Sequence, residues 1–256
     1  MEGLSIDRLG VDYGRQHVLC ELSIRALPRG RVTMLLGPNG SGKSTLLNAL
    51  AGLVSARGEV WLNGDRLHAL SFARRAEKVV LLPQVLPRGI RLRVLEAVIV
   101  AQCASINTCA QQSKAQAITI LEQLEISHLA LHFLDQLSGG QRQLVGLAQS
   151  LVRQPSLLLL DEPLSALDLN YQFHVMNLIE RETRVRNTVT LMVVHDINLA
   201  LRHAGHVLLL NNGRLVAEGA PEAVINTRNL ADVYGVRANI ERCSQGRPQM
   251  IVQAVI

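Results

Sequence analysis

An α/β fold built around a parallel sheet is what this chain predicts, and three features predict it. Strand-like apolar runs alternate with segments of helical periodicity over most of the 256 residues. Leu157–Leu160 is apolar throughout, as a central strand buried on both faces requires. A glycine-rich loop, Gly37–Ser44, joins the apolar run ending at Leu36 to a helical segment. Around this core the pattern adds an antiparallel β subdomain at the start and an inserted α-helical subdomain in the middle.

The elements follow in order. Leu4, Ile6, Leu9 and Val11 alternate with polar residues, then Val32, Met34, Leu35 and Leu36 close up, which reads as antiparallel strands followed by a buried strand. Thr45–Leu53 reads as a helix closed near Gly52. Glu59–Leu62 reads as a strand, Asn63-Gly64 as a hairpin turn and Val79–Leu82 as a short buried strand. From about Leu92 to Arg153 the spacing is helical, as at Ile118, Leu121 and Leu124. Next come the strand ending at Asp161, a helix over Gln172–Arg184, a strand over Thr188–Val194 and a helix over Ile197–His203. Val207–Leu210 and Leu215–Ala217 read as strands joined at Asn212-Gly213. One domain is expected over residues 1–256. Its β subdomain and core take 1–84 and 151–220, its helical subdomain takes 85–150, and 221–256 form a C-terminal tail of mixed signals.

Composition narrows the function classes. Hydrophobic residues are 48% of the chain and aromatics 3%, so a packed, mainly aliphatic core is expected. The net charge of +5 invites a nucleic-acid partner, but the arginines are scattered and no basic block interleaves with aromatics. The expectation is no nucleic acid; a mildly basic surface also suits anionic lipid headgroups. Cys20, Cys103, Cys109 and Cys243 form no C-x-x-C pair, so free thiols rather than a zinc site are expected. The first residues lack the charged start and apolar stretch of a signal peptide, and no apolar run approaches the roughly 18 residues of a membrane span. Membrane association is therefore expected to come through a partner.

Gly37-Pro38-Asn39-Gly40-Ser41-Gly42-Lys43-Ser44 matches G-x-x-x-x-G-K-[ST]. Glycines let the backbone wrap tightly, so that its N–H groups face phosphate oxygens. The following helix, from Thr45 in this reading, adds its positive end. Lys43 can reach the β- and γ-phosphates and Ser44 can ligate Mg²⁺. This makes the core a P-loop NTPase (RecA-like) one. Leu157-Leu158-Leu159-Leu160-Asp161-Glu162 ends an apolar strand in an acidic pair. Asp161 would hold Mg²⁺, and Glu162 would orient or deprotonate an attacking water. Alone, that pair fits a helix N-terminal cap equally well; beside the phosphate loop it reads as catalytic.

Leu137-Ser138-Gly139-Gly140-Gln141 reads as a turn capping a helix that starts near Gln141. A helix end with open N–H groups and a small hydroxyl is a second anion site. The phosphate loop already covers one face of a triphosphate, so the second site suggests a nucleotide on another subunit.

This combination resembles the ABC ATPases. The resemblance spans about residues 4–220 and implies further roles. Tyr13 stands where the family stacks an aromatic on adenine; taken alone it could be an ordinary strand aromatic. Gln84 resembles the Q-loop glutamine, placed to contact the metal and link it to a transmembrane partner. Ser165-Ala166-Leu167-Asp168 resembles the D-loop. His195 resembles the switch histidine, although a polar residue at a strand end is also unremarkable. The resemblance implies ATP and Mg²⁺ as cofactors and an ATP-sandwich dimer with a second copy. It also implies transmembrane permease subunits, an indirect periplasmic or surface substrate-binding protein, and a peripheral place on the cytoplasmic face of the inner membrane.

Ser165–Gln172, His195–Ala200, Glu218–Pro221, Val233–Val236 and Gly246–Pro248 resemble the iron-chelate import branch. That branch implies a ferric siderophore or other iron complex as cargo, with haem, cobalamin or molybdate as alternatives. Gln149 stands where an arginine is common, and Val100–Cys103 replaces the branch's usual Gly-Arg-x-Pro. A soluble ABC-type ATPase of DNA repair, translation or cofactor assembly is the competing reading. A non-hydrolysing structural subunit is a third, which the presence of Glu162 argues against.

Overall fold

The computed structural model describes residues 2–85, 91–103 and 110–256, the last with backbone only at 110–112. In chain order the strands and helices are β1 (Leu4–Tyr13), β2 (Gln16–Leu27), β3 (Val32–Leu36), α1 (Lys43–Ala51), β4 (Arg57–Leu62), β5 (Asp65–Arg66), α2 (Phe72–Lys78) and β6 (Val79–Leu82). There follow α3 (Val94–Cys103), α4 (Ala110–Gln123), α5 (Gly139–Val152), β7 (Leu157–Asp161), α6 (Leu169–Arg186), β8 (Val189–Val193) and α7 (Ile197–His203). The chain ends with β9 (His206–Asn211), β10 (Arg214–Gly219), α8 (Pro221–Val224), α9 (Thr227–Tyr234), β11 (Val236–Arg242) and β12 (Pro248–Val255).

A six-stranded sheet in the order β10-β9-β3-β8-β7-β6 forms the centre. Its strands are parallel except for β10, which pairs antiparallel with β9 at the edge. Parallel strands need helical crossovers, which cover both faces, so β3, β7 and β8 are buried along their whole length. Alternate residues serve opposite faces. Met34, Leu36, Leu158 and Leu160 face a core shared with α5, α6, α7 and α9. Leu35, Leu157 and Leu159 face α1 and a second sheet. That second sheet is antiparallel, in the order β2-β1-β4-β5. The strands β6 and β7 are neighbours in the sheet, yet α3, α4 and α5 lie between them in sequence.

Two helices have bounds here that differ from expectation, each for a local reason. The first helix starts at Lys43, where Gly42 in the left-handed region (φ 98°) turns the loop into it, and stops at Ala51 because Gly52 (φ 79°) does the same at its end. The helix expected over 172–184 begins at Leu169, because the Asp168 carboxylate accepts from the Tyr171 amide and caps it. The segment after Gly219 corrects the expectation of a tail. It folds as α8, α9 and a β11–β12 hairpin. Leu230, Val233 and Ala238 are buried in the main core. The Asn198 side chain on α7 bonds both the amide (2.7 Å) and the carbonyl (3.4 Å) of Met250 on β12, taking the place of a neighbouring strand.

Candidate functional site

Parallel order puts the carboxyl ends of β3, β8, β7 and β6 side by side along one rim of the sheet. Each end carries one part of the expected constellation. Gly37–Ser44 follow β3, His195 follows β8, Asp161 ends β7 with Glu162 next after it, and Gln84 follows β6. Of these, Asn39, Gly40, Gly42, Lys43, Ser44, Gln84, Glu162 and His195, together with Thr45, line a cavity of ≈ 600 Å³. The fold thus gathers Asn39 and His195, 156 positions apart, because their strands are neighbours.

The loop's shape needs its glycines at two places. Gly37 has φ 147°, and a Cβ there would lie 2.2 Å from the Leu210 carbonyl oxygen. Gly42 has φ 98°, and a Cβ there would lie 2.7 Å from a Leu19 methyl. The helix α1 has no side-chain cap, so its first amides face the cavity without one. Lys43 is 6% exposed and donates to the Gly37 (2.8 Å) and Pro38 (2.9 Å) carbonyls. Burial lowers its pKa, against the pull of Glu162 and then Asp161.

Asp161 is 7% exposed, and burial raises its pKa against a hydrogen bond from Ser44. Its Oδ1 is buried with no hydrogen-bond partner among the described residues. Glu162 sits at φ 51°, a left-handed conformation that a non-glycine residue adopts at a cost of about 1 kcal/mol or more. Its two carboxylate oxygens are both held. Gln84 Nε2 donates to Oε2 at 2.8 Å, and His195 Nε2 lies 2.5 Å from Oε1.

The segment Leu137–Gln141 is not part of this cavity wall. Leu137 is buried, while Ser138 and Gly139 are exposed on the surface of their own chain. The helix starts at Gly139 rather than Gln141. Ser138 caps it by accepting from the Gln141 amide (3.2 Å), and the Gln141 side chain accepts from the Ser138 amide (2.9 Å). The expectation of fully open N–H groups is therefore narrowed to Gly139 and Gly140, since Arg142 already bonds Ser138. The Ser138 hydroxyl keeps its own proton to donate.

Tyr13 ends β1 47% exposed and is not in the cavity wall; Gln16 and Val18 of β2 are. No motif marks those two, because they reach the site only through the register of the β1–β2 hairpin. Asp168 is exposed at the head of α6. Tyr234, in α9, lies within Val233–Val236, a segment to which the sequence motifs assign no role in the site. Its hydroxyl is hydrogen-bonded to the Gly37 backbone, and burial pushes its pKa up to about 12. Of the unusual residues in the helical lobe, Gln149 donates to the Ala97 carbonyl (3.1 Å), tying α5 to α3. Gln102 is fully buried and donates to Gln116, tying α3 to α4. No group of three or more His, Cys, Asp or Glu suited to a metal occurs among the described residues.

The profile of a family described as ABC transporter matches residues 23–165. The ferric enterobactin transport ATP-binding protein FepC of Escherichia coli is 34% identical over 238 residues, covering 91% of this chain and 88% of that one. The hemin import ATP-binding protein HmuV of Bordetella avium is 37% identical, covering 93% of this chain and 94% of that one. Among solved structures, a metal-chelate type ABC transporter in an inward-facing conformation superposes with TM-score 0.82 at 27% identity, covering 100% of this chain and 98% of that one. The dimeric bacterial ABC transporter cassette MJ0796 superposes with TM-score 0.77 at 26% identity, covering 86% and 99%.

Proposed function

The chain belongs to the ABC transporter family, and from that premise we propose that it is the ATPase subunit that drives import of an iron chelate through a membrane permease. It is an ATP-hydrolysing cassette that works with a membrane permease, and no helix among the described residues is long and apolar enough to cross a membrane itself. The observation that carries the mechanism is the separation of two half-sites. The phosphate loop, Glu162, His195 and Gln84 surround one cavity, while Ser138 and Gly139 lie exposed outside it. One chain then holds a nucleotide from one side only, and a second copy supplies the other side.

In this reading Lys43 leaves the Gly37 and Pro38 carbonyls for the β- and γ-phosphates, and the uncapped amides of α1 hold the phosphate chain. The buried, unpartnered Asp161 Oδ1 beside the Ser44 hydroxyl fits Mg²⁺, a hard cation that takes carboxylate and hydroxyl oxygens. When bound it neutralises phosphate charge. Glu162 accepts the proton of the attacking water, and its strained backbone is fixed so that both oxygens stay aimed at the site. His195 contacts the γ-phosphate, and Gln84 reports its state to the permease. Ser138 and Gly140 of the second copy close over the γ-phosphate. Tyr13, at the end of its exposed hairpin, stacks on the adenine, and Asp168 faces the second copy.

The permease face is the apolar groove beside the Gln84 strand, lined by Leu53, Phe72, Ala76, Leu81 and Pro83. Phe72 and Leu53 are exposed there among the described residues. A periplasmic or surface binding protein delivers the cargo, and the chain sits on the cytoplasmic face. Ferric siderophore is favoured because relatives named for siderophore and hemin import align along more than nine-tenths of the chain.

The test is reconstitution with its permease in lipid vesicles. ATP-dependent uptake of ⁵⁵Fe-siderophore, abolished by Lys43→Ala, is the expected result. Robust ATPase activity with no permease binding and no uptake of any iron, haem or cobalamin chelate would instead favour a soluble assembly-type ATPase.

A further inference from the structure

We propose that Gln143 is a positioning residue that couples the two ATP sites of the dimer, by locking the Ser138 helix end of each copy to that copy's own Glu162. The inference rests on the two-half-site reading above. Its geometry is independent of it.

Gln143 lies on α5, little more than one turn beyond Ser138, and is 8% exposed. Its side-chain amide spends both its donor and its acceptor on the segment that follows β7. Nε2 donates to the Glu162 carbonyl at 2.6 Å, and Oε1 accepts from the Ala166 amide at 3.1 Å. The same Glu162 carbonyl also accepts from the Ser165 amide (3.3 Å) and hydroxyl (3.0 Å). That peptide belongs to the residue held at φ 51°, so Gln143 is one of three donors that keep a left-handed glutamate in place. A second contact lies just above. A Cβ on Gly140 would meet the Ala166 carbonyl oxygen at 2.7 Å, so the helix end and this segment touch backbone to backbone.

The consequence is mechanical. In the dimer, Ser138 of one copy serves the nucleotide held by the other, while Glu162 of the first copy serves its own nucleotide. These two groups sit in different ATP sites, yet a buried amide with two hydrogen bonds joins their backbones. Any shift of the helix end on closing over one γ-phosphate must therefore be felt at Glu162 in the other site. A buried amide of this kind has two discrete states, bonded or orphaned, and orphaning the Ala166 amide is costly.

The experiment compares the parent with Gln143→Met, which keeps the side chain's length and loses both bonds, and Gln143→Glu, which keeps the acceptor for Ala166 and loses the donor to Glu162. Three quantities are read: affinity of the chain for a fluorescent ATP analogue, kcat for ATP, and the Hill coefficient for ATP. The parent must first dimerise with ATP and hydrolyse it cooperatively; if it does neither, the two-half-site reading has failed and this inference goes with it. Given a cooperative parent, both variants are expected to bind the analogue within about twofold, because Lys43 and its loop are untouched. Their kcat should fall on the order of tenfold or more, as misplacement of a catalytic group does. The Hill coefficient should drop from about 2 towards about 1. Unchanged kcat and cooperativity in the variants would overturn the inference. So would a loss of nucleotide binding or of the fold in step with kcat, which is what an amide needed only for packing would give.

Discussion

Asp161→Asn should make the metal-free chain more stable while removing its activity. The carboxylate is 7% exposed with one oxygen unpartnered, and burial raises its pKa above the ordinary 3.8. A raised carboxyl pKa means that the folded state binds the proton more tightly than the unfolded state. The associated stability is fully present below pH 3.8 and is lost as pH rises through the folded pKa. Near neutral pH the ionised form is therefore a cost that the fold carries. Asparagine abolishes the charge, keeps an oxygen to accept from Ser44, and relieves repulsion from Glu162. It gives up attraction to Lys43, which ranks below those causes. Stabilising changes at functional sites are typically about 0.5–2 kcal/mol, and for a chain of this size 1 kcal/mol corresponds to roughly 2–4 °C. A thermal melt in chelator at pH 7.5 should therefore show Asp161→Asn melting about 2–4 °C above the parent, with the gap closing as pH falls towards 4. Adding MgATP at about 100 times its Kd should stabilise the parent by about 2.7 kcal/mol and the variant by much less. A variant that melts below the parent in chelator at pH 7.5 would refute the reasoning, because Asp161 would then be a structural anchor and not a charge held ready for a cation.

Three further outcomes follow from the same geometry. Glu162→Gln should cut kcat by about 10²–10⁴-fold with ATP affinity retained, and ATP should then trap a stable dimer visible by size-exclusion chromatography. Ser138→Ala removes the α5 cap bonded to Gln141; chemical denaturation should report a loss of about 1 kcal/mol, and hydrolysis should fall while binding of a fluorescent nucleotide to the isolated chain stays the same. Leu159→Ala, at a position with no exposed surface between the central sheet and the α1 layer, should cost about 2–5 kcal/mol in a denaturant titration without altering the chemistry of any site residue.

The strand before the phosphate loop and the strand ending at Asp161 were readable in sequence because a parallel strand buried on both faces must be apolar without interruption, and few other structures demand that. Turns were readable where chemistry forces them: Asn63-Gly64 and Asn212-Gly213 both take positive φ, which asparagine and glycine tolerate. The C-terminal segment was not readable. Its hairpin has one half-buried face, its strand β12 is largely exposed, and its place is fixed by Asn198, whose amide stands in for a strand that the sequence does not contain. No local period encodes a contact made 52 residues away.

The site divides along the same line. Lys43, Asp161 and Glu162 could be named because their neighbours in sequence are also their neighbours in function: a loop that must wrap a phosphate, a strand that must end in charge. Gln143 could not, since it acts on backbone groups that belong to another element. A side chain that bonds a peptide places no demand on the type of residue it bonds, so no motif records it. Glu162 shows the limit most sharply. Its carboxylate was legible as chemistry, but its φ of 51° was not, and it is the left-handed turn that aims both oxygens at Gln84 and His195. The conformation is unfavourable for glutamate taken alone and persists because three donors converge on its carbonyl. Residue type thus sets what the site can do, while the bonds to its backbone, contributed by residues that carry no signature, set whether the site is in position to do it.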